Sequence, residues 1–550
     1  MKILFTFIYC TICLVGFSQP IYPKVKQAEP IWSHLLSNPN YVVVDTPDWK
    51  GHYGNAYNSI GFMHNSLKIK DDFAYFIAGT HDDNIANDGY GIYKVNYKTG
   101  EIAWGEIYNK ASGAPGYFAC ADEVLFRSDG DVELIGNRTI DPKGWNYYPM
   151  AYRRVYDDIT GEIKQMHYDT SNQSNVPYRS GAWMGENFIL QEDSLYLQIY
   201  FHLNIPKLSI DAIQINGNQD SVYNFKSIEI SYDSITIDAF SFVAFNSEIL
   251  NDSLWVLLAK IRASDQEVEH DRMELYFVNY KNPDHIFLER RVDVSDKVIY
   301  NPLSRNNFDM IKDGEDLLII GIYHDYDLDP HQQNYLVRVN AKGEVTEHHP
   351  RLTVPDSYYA QYLPINRVGN KYYLWGWRSE HSDKIESFDL LSMDKQGKIQ
   401  YEASFFTTDD NVEDYLSSQI AKIIGDTLIL IGRYNVGEAI LLKKTSFIMA
   451  FDLKDLREGS IVKLDDLLSQ FQFRAYPNPT LGNFTTDLPE VNNNVTIHFF
   501  DNTGSMAYSS CALVTGANNL DISHLPSGTY YYKVIDGVKV LGFGHIVKVD

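Results

Sequence analysis

The sequence predicts an all-β protein, a ring of seven four-stranded blades followed by a small β-sandwich. Three observations predict it. A short apolar strand opened by a polar turn recurs seven times between residues 58 and 463. Most copies precede a second hairpin built around a Gly-containing turn. The last 77 residues hold several short alternating segments and no helical period, which suits a sandwich.

The recurring strand reads DDFAYFIAG (71–79), GDVELIG (130–136), EDSLYLQI (192–199), NDSLWVLL (251–258), DGEDLLIIG (313–321), VGNKYYLWG (368–376) and IGDTLILIG (424–432). The copies lie roughly 55 to 65 residues apart, room for four strands and far more than one coil of a β-helix needs. The clearest second hairpins are IYKVNYKTGEIAW (92–104), YRRVYDDITGEIKQ (152–165), YLVRVNAKGEVTE (335–347) and LLSMDKQGKIQYE (390–402). Weaker versions are IEISYDSITIDAF (228–240), LYFVNYKNPDHIFLE (275–289) and FIMAFDLKDLREGSIV (447–462). A further element precedes each copy, as in NSIGFMHN (58–65) and GYFACAD (116–122), so each unit holds strands A to D. A single blade cannot bury both faces of its sheet, so blades stack and the ring closes. No WD or kelch signature is present, which leaves an architecture without a named propeller family. YVVVD (41–45), in an N-terminal extension spanning 19–57, is a candidate for a ring-closing strand, and counts of six or eight blades stay open.

The A–B and C–D turns are short, so the long B–C and D–A connections gather on one face, where binding residues tend to sit. HDDNIANDGY (81–90) offers Asp82 and Asp83 there, and RTIDPKGWNYYP (138–149) offers Trp145, Tyr147 and Tyr148. IYHDYDLDPHQQN (322–334) offers His324, Asp325, Asp327 and Asp329. Trp and Tyr give flat amphipathic platforms for sugars or peptide side chains. The alternating Asp325, Asp327 and Asp329 make calcium the one candidate cofactor, although Pro330 stands where an EF-type loop needs glycine. His348 and His349 read as a solvated loop, since adjacent strand residues face opposite ways and chelate poorly.

The C-terminal sandwich is read at 474–550, after a linker at 464–473. Pro477 and Pro479 fix φ and remove two backbone donors, giving an extended lead-in. VTIHFFD (495–501) and GTYYYKVID (528–536) alternate apolar and polar residues, and Asp536-Gly537 marks a hairpin. The blocks Tyr476, Pro477, Asn478, Pro479 and Gly482, then Asp501 and Gly504, then Leu520, Asp521, Ser523, Leu525, Gly528, Thr529 and Tyr530, and finally Lys548 occur in that order. In this the segment resembles the C-terminal sorting domain of the type IX (Por) secretion system of the Bacteroidetes. The resemblance implies an immunoglobulin-like shape and export to the periplasm by the general pathway. It also implies recognition by the type IX machinery, delivery to the cell surface or medium, and common removal of the sorting domain. One departure is the acidic ending Val549-Asp550.

The N-terminus agrees. Residues 1–18 carry Lys2, an apolar run from Ile3 to Phe17, and Gly16 and Ser18 at −3 and −1 to a cleavage, as a signal peptide does. The run is about 15 residues, short of the roughly 20 that span a bilayer. No transmembrane segment is expected in the mature chain. Cys10 and Cys13 fall inside this segment, and the remaining Cys120 and Cys511 cannot build a disulfide scaffold or a thiolate metal site.

A formal net charge of −25 opposes nucleic-acid binding, because no basic face is available to neutralise phosphates. Nucleophile-elbow, zincin, Walker and dinucleotide motifs are absent, and Ser128-Asp129-Gly130 lacks the sialidase-box spacing. The expectation is a secreted or surface-attached propeller that binds an extracellular glycan or protein on its long-loop face. The alternative is an extracellular hydrolase of glycans or peptides that uses a pair of loop carboxylates, which need only a separation of about 5 to 9.5 Å. A self-associating surface-layer component is a third option.

Overall fold

A computed structural model describes residues 27–36, 67–80, 89–109, 119–139, 147–168, 188–192, 195–204, 207–216, 221–230, 236–265, 268–282, 285–295, 308–325, 329–352, 359–379, 387–406, 416–435, 443–457, 460–463, 473–488, 495–501, 506–536 and 539–550. The targeting segment, YVVVD (41–45), NSIGFMHN (58–65) and most long connections lie outside these residues. The regular elements among the described residues are all β-strands.

After β1 (Trp32–Leu36), consecutive strands pair into antiparallel sheets. The first sheet holds β2 (Leu67–Lys70), β3 (Phe73–Thr80), β4 (Gly89–Asn96) and β5 (Ile102–Asn109). The second holds β6 (Ala119–Phe126), β7 (Val132–Thr139), β8 (Tyr147–Tyr156) and β9 (Ile163–Tyr168). The third holds β10 (Phe188–Glu192), β11 (Leu195–Asn204), β12 (Lys207–Asn216) and β13 (Ser221–Ile230). The fourth holds β14 (Thr236–Asn251), β15 (Leu254–Asp265), β16 (Val268–Asn279) and β17 (Phe287–Asp293). In the fifth are β18 (Phe308–Asp313), β19 (Asp316–Asp325), β20 (Asp329–Val339) and β21 (Val345–Leu352). The sixth has β22 (Tyr359–Val368), β23 (Lys371–Ser379), β24 (Ser387–Met393) and β25 (Ile399–Phe406). The seventh joins β26 (Leu416–Ile424), β27 (Thr427–Asn435) and β28 (Lys443–Asp452) to β1 from the other end of the chain.

Two hairpins differ from expectation. Residues 228–240 are no hairpin: they end the third sheet and begin the fourth, and the third sheet's own hairpin is β12–β13. β29 (Ser460–Lys463) does not return to β28 but pairs in parallel with β25 of the sixth sheet, because β1 already occupies the free edge of β28.

Stacking explains the continuous apolar runs. In β19, Leu317 and Ile319 pack toward the fourth sheet while Leu318 and Ile320 pack toward the sixth, so all four are fully buried. Similar shared cores join the first sheet to the second, the third to the fourth and the sixth to the seventh. The seventh packs back on the first, with Ile429, Ile431 and Ile448 against Leu67, Phe76 and Tyr93. The fold is all-β and propeller-like.

The C–D turns repeat one local solution. Asn96, Asp157, Asn340 and Asp394 each accept two backbone N–H bonds from the following turn, and Gly100, Gly161, Gly343 and Gly397 close those turns at positive φ. Two of the glycines also lie under a tryptophan from the neighbouring sheet. A Cβ on Gly161 would sit 2.7 Å from Trp104 Cγ, and one on Gly100 would sit 2.6 Å from Trp32 Cγ. Each indole then donates to the same turn, Trp104 Nε1 to Asp158 O at 2.9 Å and Trp32 Nε1 to Tyr97 O at 3.1 Å. Trp32 of β1 thus does for the seventh and first sheets what Trp104 of β5 does for the first and second.

The C-terminal unit has two sheets. One orders β30 (Ala475–Tyr476), β31 (Asn483–Leu488) and β34 (Gly516–Asp521). The other contains β32 (Val495–Phe500), β33 (Met506–Leu513), β35 (Gly528–Asp536) and β36 (Lys539–Lys548), in the order β36-β35-β32-β33. Phe484, Leu520, Phe499, Tyr532 and Ile546 form the core between them. β36 also pairs with β1, which ties this unit to the seventh sheet.

Candidate functional site

The sequence blocks of the C-terminal unit, dispersed along the chain, meet at one end of the two sheets. Pro477, Asn478 and Pro479 form an exposed loop between β30 and β31. Asn478 anchors it to β36, donating from Nδ2 to His545 O at 3.0 Å and accepting from Val547 N at 2.8 Å. Thr480 continues the attachment, its N–H bonding Val547 O and its O accepting from Val549 N. Gly482 is buried at φ 139°, where a Cβ would fall 2.7 Å from Ser523 Cα. Only glycine fits both the angle and the space.

Ile522 N bonds Gly482 O, which brings the LDISHLPSG block alongside. Asp521 accepts from Ser523 N at 2.8 Å, and its bonds to Ser523 hold its carboxyl below the usual range. Leu525 is buried in the core, and Gly528 faces Lys548 across the β35–β36 pair. Tyr530 is buried and donates its hydroxyl to Pro526 O at 2.8 Å, four residues upstream. Burial raises the Tyr530 pKa, with the nearby Asp501 carboxylate adding to it. The unusual terminal Asp550 also has a partner, the hydroxyl of Ser527. Gly504 lies outside the described residues.

The second candidate region is the end of the sheets opposite the short turns. The strands joined by the longer connections, at 81–88, 110–118, 140–146, 169–187, 294–307, 380–386, 407–415 and 436–442, end there. Asp82, Asp83, Trp145 and Asp327 fall outside the described residues. Tyr147 and Tyr148 are not in a loop: they open β8, opposite Thr139 and Arg138. His324 and Asp325 likewise end β19, and Asp329 begins β20 directly across from Asp325. The stretch expected as a long acidic loop is therefore a tight hairpin with a connection at 326–328. His348 and His349 are also strand residues, in β21, with His349 packed under Gly397.

A set of polar residues on the innermost strands escapes a sequence reading centred on loops. Lys68 of β2 pairs with buried Glu123 of β6 at 3.0 Å. Asn246 of β14 bonds Asp309 of β18, and Asn366 of β22 bonds Ile423 O at 2.8 Å. Burial holds the Lys422 ammonium of β26 below its usual range, Lys68 acts in the same direction, and Glu248 of β14 opposes them. Charges from the first, fourth and seventh sheets therefore sense one another. The only sequence signal is a polar residue interrupting an otherwise apolar strand. Deeper carboxylates are matched by arginines: Glu133 by Arg127 and Arg153, and Glu274 by Arg291. These are structural pairings in which the carboxylates are fully buried and Arg291 reaches partly to solvent.

The fold and the converging C-terminal blocks define an exported, propeller-like all-β protein that carries its own sorting unit. Residues 474–546 match the family described as "Secretion system C-terminal sorting domain", and the C-terminal unit is a sorting domain of the type IX system. No curated relative matches the chain. Among solved structures, the polysaccharide lyase Uly1 is 11% identical with a TM-score of 0.43, covering 78% of this chain and 100% of its own. A polysaccharide lyase of family PL25, an ulvan lyase, is 8% identical with a TM-score of 0.40 over 81% of this chain and 99% of its own. The β-propeller domain of the Trilobed protease from Pyrococcus furiosus is 10% identical with a TM-score of 0.35, over 72% and 98%. The protein is exported by the type IX system to the cell surface or extracellular space. No helix among the described residues is long and apolar enough to cross a membrane.

Proposed function

We propose that this protein is a seven-bladed β-propeller that binds an extracellular glycan or protein through its long-loop end. An immunoglobulin-like sorting domain at its C-terminus delivers it. The observation that carries the reading is the asymmetry of the connections: positive-φ glycines close short turns at one end of five of the seven sheets, and the strand ends joined by nearly all the long connections lie at the other. A rigid scaffold with variable loops on one rim is built to present them. Ring closure is supported by the shared core of the first and seventh sheets and by the matched Trp32 and Trp104 contacts. The immunoglobulin-like assignment is supported by the β30-β31-β34 and β36-β35-β32-β33 orders and by the Tyr530 hydroxyl bonded back to its corner.

Asp82, Asp83, Trp145, Tyr147, Tyr148 and His324 are the proposed contact residues, and Asp325, Asp327 and Asp329 the proposed calcium ligands. The sorting signal is proposed to be read as one composite surface. It comprises Pro477, Asn478, Pro479, Gly482, Gly504, Asp521, Leu525, Gly528, Tyr530 and Lys548. A glycan and peptide binding screen on the full chain, repeated with Trp145→Ala and Tyr148→Ala and with added calcium, tests the binding reading. Retained binding in both variants refutes the assigned face, and release of shortened glycan or peptide products moves the assignment to a hydrolase. Deleting residues 474–550 is expected to leave the protein in the periplasm, and normal surface delivery of that truncation refutes the sorting role.

A further inference from the structure

We propose that the sorting domain is also a clasp on the propeller: its last hairpin covers the outer edge of β1, so the order of Leu35 and Leu36 depends on the tail. The proposal rests on the ring-closing role given to β1 above. In the first five sheets the fourth strand ends the sheet. β1 occupies the equivalent place in the seventh, yet both of its edges are paired. The inner edge runs along β28 from Trp32↔Ala450 to Leu36↔Ser446, and the outer edge pairs Leu35 with Val540 and Leu36 with Lys539.

Side chains follow the backbone. Along β35 and β36, Tyr530, Tyr532, Val534 and Ile546 fill the sorting domain's own core. Val540 and Phe543 instead join the propeller core beside Leu35, Phe451 and Val462, with Tyr531 packed against that cluster. The outward face of β35 and β36 thus packs against the propeller, and burial pushes the Lys533 ammonium on it down to about 8. The same corner is sewn by the chain on both sides of it. Ala28 N bonds Ile461 O at 2.9 Å, and β29 runs parallel to β25. An uncovered outer edge on β1 would be an open template for strand addition. In this chain the tail supplies the added strand.

The test is hydrogen exchange by mass spectrometry on the full chain, comparing wild type with Val540→Asp and Phe543→Ser. Either substitution is expected to speed exchange about tenfold in the Leu35–Leu36 segment, at the amide that faces β36, the size of one lost hydrogen bond with its packing. Trp32 and Ser33, held only by β28, should not change. If a variant also loosens residues 529–534, the whole tail has let go, and Leu35 and Leu36 must still quicken. Unchanged exchange at Leu35 and Leu36 in both variants overturns the clasp. Free exchange of Trp32 and Ser33 in the wild type would overturn the ring-closing reading itself, and the clasp with it.

Discussion

Trp32 is the sharpest place to test closure, because Trp104 supplies an internal reference. Both indoles are more than nine-tenths buried, both lie against a positive-φ glycine, and both donate to a turn carbonyl. Removing a buried Trp typically costs about 3–5 kcal/mol. The lost hydrogen bond accounts for about 1 kcal/mol of that. Trp32→Ala and Trp104→Ala are therefore expected to destabilise their sheet interfaces by similar amounts. Gly100→Ala adds a second handle. At φ 78° its Cβ costs about 1–2 kcal/mol of backbone strain and also collides with the Trp32 ring. In the Trp32→Ala background the collision with the ring disappears, leaving the strain and a 3.0 Å approach to the remaining Cβ. The double-mutant cycle should therefore be non-additive by about 1–3 kcal/mol, as should the Trp104/Gly161 cycle. Urea unfolding followed by circular dichroism, with exchange at residues 67–76 and 447–450 as the local readout, measures both. A Trp32→Ala cost below about 1 kcal/mol, or a cycle additive within about 0.5 kcal/mol, would refute the closure argument.

Three further outcomes follow from the same contacts. Burial, with the Lys539 ammonium adding to it, pushes His34 down to about 4 from an ordinary 6.5. Its Nε2 donates to Gly100 O at 2.6 Å while buried Nδ1 has no hydrogen-bond partner, so a second proton there would be stranded. The folded state resists proton uptake, so this stability is complete above about pH 6.5 and falls as pH drops toward 4, by at most about 3 kcal/mol. A His34→Gln variant whose unfolding keeps the full wild-type slope between pH 6.5 and 4 would contradict this. Gly482→Ala should cost more than about 2 kcal/mol, since the obstruction is Ser523 backbone rather than a movable side chain, and should lower the surface-exposed fraction in protease-shaving of intact cells. Glu274→Gln removes a fully buried charge opposite Arg291 Nη2, which lies 2.5 Å away and is itself partly exposed. Its expected cost is about 2–4 kcal/mol in urea unfolding, and an effect under about 0.5 kcal/mol would show that the pair is not holding β16 to β17.

The central strands were legible because stacking makes both faces apolar: DGEDLLIIG (313–321) and IGDTLILIG (424–432) each hold the turn and the first six residues of β19 and β27. The C–D hairpins were legible where glycine closes a turn, as at Gly100, Gly161, Gly343 and Gly397. The third sheet was misread although Asn216-Gly217 offered a turn signal, because the apolar run through β14 has no break to mark its start. The strand on β28 was not legible at all. WSHLL is short, has no flanking turn, and finds its partner near residue 450. The tail's blocks were visible one by one, since turn chemistry is local. Their meeting around Asn478, Gly482 and Lys548 depends on pairings nearly 70 residues apart. On the loop end, Asp325 and Asp329 show the limit: alternating carboxylates suggested a loop, whereas strand pairing carries the hairpin almost to its tip.

Closure at β1 also explains why a tail contact would matter. Pairing Trp32 with Ala450 joins residues some 400 apart, and closing a free loop of that length costs about 5 kcal/mol. Already stacked sheets hold the ends near each other, so the true cost is smaller. Against it stands burial of Trp32, Leu35 and Leu36, worth about 6–8 kcal/mol before the ordering entropy of the strand is subtracted. Ordering five residues costs about 5 kcal/mol or more, so the strand on its own is near balance. Two more backbone pairings from β36 and the burial of Val540 and Phe543 are then large relative to the net. β1 is made first and β28 nearly last, so closure must wait for almost the whole chain. The sorting domain follows β28 in synthesis and can stabilise the closed form as it folds.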